Sequence, residues 1–197
     1  MLDPMNDHES NPRQRIIDTA LRLFYQQGYR ATGINQIIAE SDVAKATFYS
    51  HFSSKEKLCV VYLQARHAIW MGWLKESVDR QTSAPDRLLG VFDFIRGWMS
   101  GCDFRGCAFL NIASEIPQPD SEIRGEVVRH KDSLRKYIGL LLAETEDSGA
   151  SLPGIDRERV ADMLYVLVEG AIVASQNYGQ LWPIDAARQA AARLLWG

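Results

Sequence analysis

Cysteine is scarce in this sequence of 197 residues, and it contains no long apolar run. The three cysteines suggest no paired disulfide framework, and a low, odd number is typical of proteins in a reducing compartment. The longest apolar stretch, residues 163–174, contains Glu169 and is too short to span a bilayer. The acidic start, MLDPMNDHES, has neither the basic nor the apolar part of a secretion signal. We therefore expect a soluble, cytoplasmic protein without a membrane segment.

Sequence motifs of enzymes and metal sites are also missing. There is no phosphate-binding glycine loop, no HExxH motif, no nucleophile elbow and no pair of carboxylates or Ser/His/Asp set with a recognisable spacing. The four histidines, His8, His51, His67 and His130, are scattered away from the cysteines, which argues against a metal site. We predict that the protein is not an enzyme and that it uses no metal and no cofactor.

Charge is unevenly distributed along the chain, although the net charge is only −3. The first ten residues carry three acidic residues and no basic one, whereas residues 11–57 carry seven basic and four acidic residues. Binding to nucleic acid requires a local basic face rather than a basic protein. The distribution therefore permits nucleic-acid binding by the N-terminal part without establishing it.

Apolar residues recur with helical spacing along most of the chain, and no alternation typical of a strand persists. The first helix is expected to begin near residue 11 and to end at Gly28, the second to follow Thr32, and the third to cover residues 44–52. Further helices are predicted at about residues 53–79, 86–100, 107–115, 121–146, 157–178 and 186–195, with Trp182 and Pro183 in the last break. The sequence thus predicts an all-α chain of about nine helices.

Residues with capping chemistry stand at several predicted helix ends. Ser10 or Asn11 can cap the first helix, and Thr32 can cap the second. Ser53 is spaced from Glu56 as in a capping box, which predicts the start of the fourth helix. Gly28 is predicted to end the first helix in the left-handed conformation.

The third predicted helix, in the stretch VAKATFYSHF (residues 43–52), has one apolar and one polar side. Phe48 and Phe52 lie one turn apart and should be buried. The stretch Ser41-Asp42-Val43 before it is short enough for a tight turn, in which Asp42 tolerates a left-handed backbone. Such a helix-turn-helix can place its second helix in the major groove, and hydroxyl and amino groups suit phosphate oxygens. A solvated polar face is the commoner fate of such residues, so the spacing alone leaves both alternatives open.

Residues 15–58 resemble the DNA-binding domain of the tetracycline-repressor (TetR) family of transcriptional regulators. The matching features are the run ending in Phe24 and Gly28-Tyr29, then Ala31-Thr32, Ile34, Ile37, the pattern VxKxTFYxHF at residues 43–52, and Ser54-Lys55-Glu56-x-Leu58. Two features depart from the family pattern: Ser41-Asp42 replaces a small residue and glycine, and Ala44 replaces a common serine. Loss of that serine removes a possible cap, which costs about 1 kcal/mol. The resemblance implies a flexible tail (residues 1–10), a three-helix helix-turn-helix domain (11–57) and a helical effector-binding and dimerisation domain (58–197).

The resemblance also implies roles for single residues. Those expected to contact phosphates are Thr32, Tyr49, His51 and Lys55. Lys45 and Thr47 stand where relatives touch the DNA backbone or bases, and Asn35 stands where some members read a base edge. Asparagine can bond bidentately to adenine, so we predict base readout by Asn35 and Lys45. From the helix itself, we expect the Ser50 hydroxyl to suit a phosphate and the small Ala46 to permit contact with a thymine methyl group.

The C-terminal part contains an apolar helix rich in small residues, residues 157–178. A buried core helix is one interpretation of it. The resemblance implies instead that the last two long helices form a four-helix interface between two subunits, and two DNA half-sites need two reading heads. Under this interpretation the interface residues are Leu167, Ala171, Ala174, Ala187, Ala190 and Ala191.

Aromatic residues are concentrated in the middle of the chain, and most of them are expected in the core. The resemblance implies an effector pocket in this domain. The alternative for a minority of the aromatic residues is that they line such a cavity, to which polar residues such as Glu115 contribute. The predicted pocket residues are Trp70, Trp98, Cys107, Phe109, Asn111, Tyr165 and Glu169.

The stretch GCAFLN (residues 106–111) resembles a Gly-Cys motif at the start of the sixth helix in a subset of the family. At a helix start with Arg105 nearby, the Cys107 thiolate would be stabilised and reactive, and Cys102 could act as the resolving thiol. The alternative is that both are small buried apolar residues.

The predicted function is that of a homodimeric, DNA-binding transcriptional regulator, more specifically a repressor released from double-stranded operator DNA by an unknown small-molecule effector. A repressor that senses electrophiles or oxidants through Cys107 is one alternative. A helical protein-interaction module without DNA binding is the alternative from another class.

Overall fold

The computed structural model describes residues 11–119, 121–149 and 156–196, and within them the chain forms nine α-helices and no strand. The helices are α1 (Pro12–Gln27), α2 (Ile34–Glu40), α3 (Lys45–His51), α4 (Lys55–Asp79), α5 (Ala84–Gly101), α6 (Ala108–Glu115), α7 (Glu122–Asp147), α8 (Arg157–Tyr178) and α9 (Trp182–Trp196). The all-helical prediction is confirmed. The predicted flexible tail, residues 1–10, lies outside the described residues.

The helices form two compact units. Unit 1 comprises the described parts of Met1–Arg66 together with those of Asn111–Glu126, and unit 2 comprises His67–Leu110 and the described parts of Val127–Gly197. This division differs from the boundary that we expected after residue 57. The reason is that the chain returns to unit 1 at the end of α6 and the start of α7, a return that helical periodicity does not encode.

Unit 1 is built on apolar side chains of α1 to α4. Leu23 and Phe24 of α1, Ile37 of α2 and Phe48 of α3 are buried, as is Tyr62 of α4. The rings of Phe24 and Tyr62 meet edge to face with their centroids 5.3 Å apart, a favourable aromatic geometry. These contacts fix the short helices α2 and α3, which are too short to be stable alone.

The helix ends in unit 1 agree with the sequence in part. Asn11 caps α1, since its side chain accepts a hydrogen bond from the main-chain N–H of Arg13. Gly28 follows α1 with φ 93° and ψ 165°, so the predicted left-handed helical conformation is wrong although its φ is positive. The cap predicted at Ser53 is also wrong, because the Ser54 hydroxyl accepts the hydrogen bond from the Lys57 N–H.

Unit 2 is organised by α5, α8 and α9, which pack against one another. Asp156 caps the start of α8 with a side chain that accepts a hydrogen bond from the Glu158 N–H, and Gly179, in the left-handed conformation, follows its end. α9 begins four residues earlier than predicted, because Trp182 and Pro183 belong to its first turn. A proline is tolerated there since the first N–H groups of a helix have no partner within it.

No helix in the described ranges combines the length and the apolar character needed to cross a membrane.

Candidate nucleic-acid interface and effector site

The turn between α2 and α3 is held by α1. Asp42 has a φ of 50°, as the sequence predicts for a tight turn. The guanidinium of Arg15 donates to the main-chain oxygens of Ser41 and Asp42, with distances of 3.0 and 2.8 Å. Arg15 thus fixes the angle between α2 and α3, a role that our reading of the sequence missed. The sequence indicated this contact only through a basic residue on α1 and a turn before α3 that contains no glycine.

The base of α3 is apolar and buried. Phe48 is fully buried and Phe52 is 3% exposed, which confirms that both phenylalanines point inward. Their ring centroids lie 6.1 Å apart. Because this side of the helix is fixed in the core of unit 1, the remaining sides face outward in a defined orientation.

Most of the predicted DNA-binding residues are accessible. The exposed ones are Asn35 on α2 and Lys45, Ala46, Tyr49, Ser50 and His51 on α3, and Thr47 is half-buried. Tyr49 is 45% exposed, and its ring packs edge to face against Phe48. The Ser50 hydroxyl donates to the main-chain oxygen of Thr47 at 2.8 Å, so it has to leave this bond before it can donate to a phosphate.

The structure corrects the role that we predicted for Thr32. It is completely buried, and its hydroxyl donates to the main-chain oxygen of Gly28 at 2.7 Å. A phosphate contact by Thr32 is therefore wrong for this conformation, and so is its predicted role as a cap, since Gly33 precedes α2 without a side-chain cap. Threonine at this position stabilises the segment between α1 and α2 instead.

Lys55 is half-buried at the start of α4. Its ammonium group lies over the ring of Tyr29, 4.4 Å from the centroid. Burial lowers the pKa of Lys55, while Cys59 and Glu115 raise it. The predicted phosphate ligand is therefore held against an aromatic face rather than extended into solvent.

Glu115, which we expected in the effector pocket, binds main-chain groups of unit 1. Its carboxylate accepts hydrogen bonds from the N–H groups of Tyr29 at 3.0 Å and Arg30 at 2.6 Å. The Arg30 side chain in turn donates to the main-chain oxygen of Glu115 at 3.0 Å. The end of α6 and the segment after α1 are thus joined by three hydrogen bonds.

In unit 2, Lys131 brings three of the predicted pocket residues together. Its ammonium group lies 2.7 and 2.8 Å from the two carboxylate oxygens of Glu169 and 3.5 Å from Cys107 Sγ. Burial lowers the pKa of Lys131, but Cys107 and Glu169 raise it, and the net shift is upward. Burial also raises the pKa of Tyr165, and Glu169 adds to this shift. Lysine and glutamate are each less than one-fifth exposed in this ion pair.

Lys131 itself was missed. It occupies a position in the stripe Val127, Leu134 and Ile138 on the buried side of α7, and these three apolar residues are buried. A lysine within such a stripe is unusual, because burial of an unpaired charge is costly. That departure from the apolar pattern was an available indication of a polar cluster.

The predicted aromatic pocket residues form a second cluster, around His130. Its ring stacks on Phe109 at a centroid distance of 3.7 Å, and it meets Trp70 edge to face at 5.3 Å. Trp70 also contacts the rings of Phe94 and Trp98. The pKa of His130 is lowered to about 3, mainly by burial and to a smaller extent by the charges of Lys131 and His67. Among the described residues, the buried indole N–H of Trp70 has no hydrogen-bond partner.

Two further predicted pocket residues are Trp98 and Asn111. Trp98 lines a groove of about 360 Å³ with Trp73 and Phe94. Asn111 belongs to unit 1, whereas the other six predicted pocket residues belong to unit 2. Its main-chain oxygen accepts a hydrogen bond from the Ser114 hydroxyl at 2.7 Å.

Cys59, Cys102 and Cys107 are all free thiols. Cys107 is 5% exposed and directly precedes α6, and the ammonium group 3.5 Å from its sulfur belongs to Lys131. Cys102 donates to the main-chain oxygen of Met99 at 3.5 Å.

The predicted dimer residues surround an apolar groove of about 350 Å³ between α8 and α9. Leu167, Ala174 and Ala190 line it from the accessible side, and Ala171 and Ala187 form its buried floor. Ala191 is completely buried within one chain, so its predicted place in a dimer interface is wrong: its methyl group is used between α9 and its neighbours. Two large exposed residues of the same groove were missed, Val166 and Trp182, which are 64% and 51% exposed.

Comparison with known protein families gives two matches along the chain. A family model described as "Bacterial regulatory proteins, tetR family" matches residues 16–60, and one described as "Tetracyclin repressor-like, C-terminal domain" matches residues 84–191. The second model alone spans more than half of the chain.

Individual relatives are similar over most of their length. The transcriptional repressor DhaR of Mycobacterium sp. (strain GP1) is 23% identical over 173 residues, which are 88% of this chain and 86% of DhaR. The transcriptional repressor NemR of Escherichia coli (strain K12) is 24% identical over 148 residues, 74% of this chain and 72% of NemR.

Solved structures show the same fold. The crystal structure of a TetR-family regulator from Streptomyces coelicolor superimposes with a TM-score of 0.77 at 26% identity and covers 94% of this chain and 92% of that one. The reduced form of E. coli NemR gives a TM-score of 0.82 at 20% identity, with coverage of 94% and 97%.

Proposed function

This chain belongs to the tetR family of bacterial regulatory proteins and is a DNA-binding transcriptional regulator; we propose that it is a homodimeric repressor that a small-molecule effector releases from its operator. Repressors among the relatives, DhaR and NemR, support the direction of regulation. A repressor of this kind is a regulator and not an enzyme.

The observation that carries the proposal is the orientation of α3. Phe48 and Phe52 anchor one side of the helix, and Arg15 holds the turn before it. Lys45, Tyr49 and His51 are consequently exposed on a helix whose position is fixed. A fixed polar helix after a tight turn is the arrangement that enters the major groove, where base edges are read, while hydroxyl and cationic groups position it on phosphates.

The α8–α9 groove supports dimerisation. Val166 and Trp182 expose large apolar side chains that a second copy can cover, and the small residues beside them allow its helices to approach closely. Exposed apolar patches of this kind are typical of protein interfaces. A two-fold dimer would present two copies of α3 to two half-sites of one duplex.

The two clusters in unit 2 support an effector site. The His130–Trp70 cluster offers aromatic faces, and the indole N–H of Trp70 is available to a ligand acceptor. The Lys131–Glu169 pair offers both signs of charge near Cys107 and Tyr165. An effector that binds better to a conformation in which the two copies of α3 no longer fit successive major grooves shifts the population away from DNA binding. Because this coupling is reciprocal, DNA weakens effector binding to the same extent.

Selection of DNA followed by a release screen tests the proposal. Duplexes retained by the protein from a random pool are first compared with DNA flanking its own gene in a gel-shift assay at several salt concentrations. We expect retained duplexes to share a two-fold symmetric sequence and to bind more weakly as salt increases. The bound complex is then exposed to a small-molecule library that includes electrophiles, and release of DNA identifies the effector class. Failure to retain any duplex would leave a helical protein-interaction module as the function.

The short distance between Lys131 and Cys107 favours a second candidate, in which modification of Cys107 releases the DNA. The Gly-Cys sequence at residues 106–107 resembles that of a subset of the family, and the ammonium group of Lys131 lies beside the sulfur of Cys107. Alkylation of the folded protein followed by mass spectrometry tests this candidate. Labelling of Cys107 with loss of DNA binding would support it, and labelling restricted to the more accessible Cys102 would exclude it.

A further inference from the structure

We infer that Glu115 is a positioning residue for DNA binding: its carboxylate fixes the segment between α1 and α2 and thereby the orientation of the helix-turn-helix. The inference rests on the DNA-binding part of the proposed function and is independent of the effector. It concerns only residues of unit 1.

The carboxylate binds two consecutive main-chain N–H groups. Its oxygens lie 3.0 Å from the nitrogen of Tyr29 and 2.6 Å from that of Arg30. These donors lie beyond the end of α1, where the N–H of the preceding residue, Gly28, bonds to the main-chain oxygen of Phe24. Bonds between an ionised acceptor and N–H donors are about twice as strong as those between neutral groups. Glu115 therefore supplies the partners that this segment otherwise lacks.

Gly28 makes this approach possible. A Cβ atom at Gly28 would lie 2.7 Å from Oε1 of Glu115, and the residue has a φ of 93°. The positive φ disfavours any other residue at this position, and a Cβ there would displace the carboxylate oxygen from its present place. The backbone of α1 thus ends in a form that accommodates the carboxylate.

From this segment the constraint continues into α2. Thr32, which is fully buried, donates from its hydroxyl to the main-chain oxygen of Gly28 at 2.7 Å. Gly33 follows directly and accepts the first hydrogen bond of α2, from the N–H of Ile37 at 3.2 Å. The path from Glu115 to the start of α2 therefore consists of hydrogen bonds and covalent bonds only.

Lys55 is linked to the same group. It lies over the ring of Tyr29, the residue whose N–H Glu115 binds. Burial lowers the pKa of Lys55, and the negative charge of Glu115 opposes part of this shift. Removal of the carboxylate would consequently disturb both the approach to α2 and a predicted phosphate ligand. Glu115 is the last residue of α6 and does not itself need to touch DNA.

Three variants of the full-length protein test the role. Glu115→Ala removes both acceptors, Glu115→Gln retains one oxygen, and Glu122→Gln is the matched control, since it also removes one negative charge in unit 1 and breaks only the exposed ion pair with Lys57. Affinity for a duplex retained by the wild-type protein is measured by fluorescence anisotropy at several salt concentrations. Amide hydrogen exchange at Tyr29 and Arg30 is measured on the same samples.

We expect Glu115→Ala to weaken DNA binding about tenfold or more, because two bonds to a charged acceptor are lost. Glu115→Gln should show a smaller loss, and Glu122→Gln should bind like wild type. The slope of the salt dependence should fall by less than one phosphate contact, since Glu115 itself touches no phosphate and Lys55 is disturbed rather than removed. The amides of Tyr29 and Arg30 should lose protection in both Glu115 variants.

Unchanged or tighter DNA binding by folded Glu115→Ala would overturn the inference. Such a result would mean that Glu115 affects DNA binding at most through its negative charge and does not position the helix-turn-helix. If Glu115→Ala does not fold, Glu115→Gln decides by the same criteria. A wild-type protein that retains no duplex would instead refute the proposed function.

Discussion

The Nδ1 atoms of His67 and His130 lie 3.0 Å apart. At this distance one imidazole donates and the other accepts, so the two rings cannot both be doubly protonated in this arrangement. His130 is 3% exposed and stacks on Phe109, with Lys131 next to it in sequence. Burial, Lys131 and His67 together lower its pKa to about 3, so His130 is neutral in the folded protein at physiological pH.

The first prediction concerns the pH dependence of stability. The folded-state pKa of His130 lies below the ordinary value of 6.5, so the unfolded chain binds more protons between these two values. The contribution of neutral His130 to the free energy of unfolding is therefore fully present above pH 6.5, and it is lost as the pH decreases toward 3. At pH 5 the loss from His130 is about 2 kcal/mol. Urea unfolding at pH 7.5 and pH 5 measures it.

The variant for this prediction is His130→Phe, which keeps the stack on Phe109 and cannot titrate. It should be less stable than wild type at pH 7.5, because His67 loses one partner, yet its stability should change less between pH 7.5 and 5. His51→Gln, at an exposed position, is the control and should retain the wild-type dependence. Equal pH dependence of His130→Phe and wild type would contradict the prediction.

The second prediction concerns Tyr49. Its ring packs against Phe48, so Tyr49→Phe preserves the packing and removes only the hydroxyl. We expect about a tenfold weaker affinity on every retained duplex, because a hydrogen bond to a charged phosphate is lost without any change in base readout. Fluorescence anisotropy measures it, and Tyr178→Phe in unit 2, at a more exposed tyrosine, should have no effect. A loss restricted to certain sequences would assign Tyr49 to a base instead.

The third prediction concerns Asn35, which is exposed on α2. If it reads a base edge, Asn35→Ala loses about 1–3 kcal/mol of discrimination at one base pair and little at the others. Affinities of wild type and variant for a set of single-base operator variants measure this. A uniform loss over the whole set would place Asn35 on the DNA backbone. Gln36→Ala, at the next residue, whose side chain bonds to Glu40, is the control.

The fourth prediction concerns the dimer. Val166 is 64% exposed at the α8–α9 groove, and Val166→Glu would bury a charge in the proposed interface. We expect monomers in sedimentation experiments and a large loss of operator affinity, because a single reading head binds only one half-site. Val128→Glu changes a similarly exposed valine on α7 and should remain dimeric. A Val166→Glu protein that sediments like wild type would place the interface elsewhere.

Helix positions followed from the sequence because they depend on residues within about one turn of each other. α8 was predicted at its observed bounds, and the inward direction of Phe48 and Phe52 followed from their spacing. The errors at helix ends range from one residue, with Ser54 in place of Ser53, to four at the start of α9. Local patterns therefore determined the all-α fold, the helix-turn-helix and the accessible face of α3.

Packing decided which polar side chains remain available. Thr32 and Ala191 are used inside the chain, and Glu115 binds N–H groups more than eighty residues earlier in the sequence. Lys131 joins Cys107, which directly precedes α6, and Glu169 of α8. The free energy of such contacts depends on distances between helices, which no local periodicity contains. The sequence alone therefore determined the helices and the family, whereas the tertiary structure decided which of their side chains face a ligand.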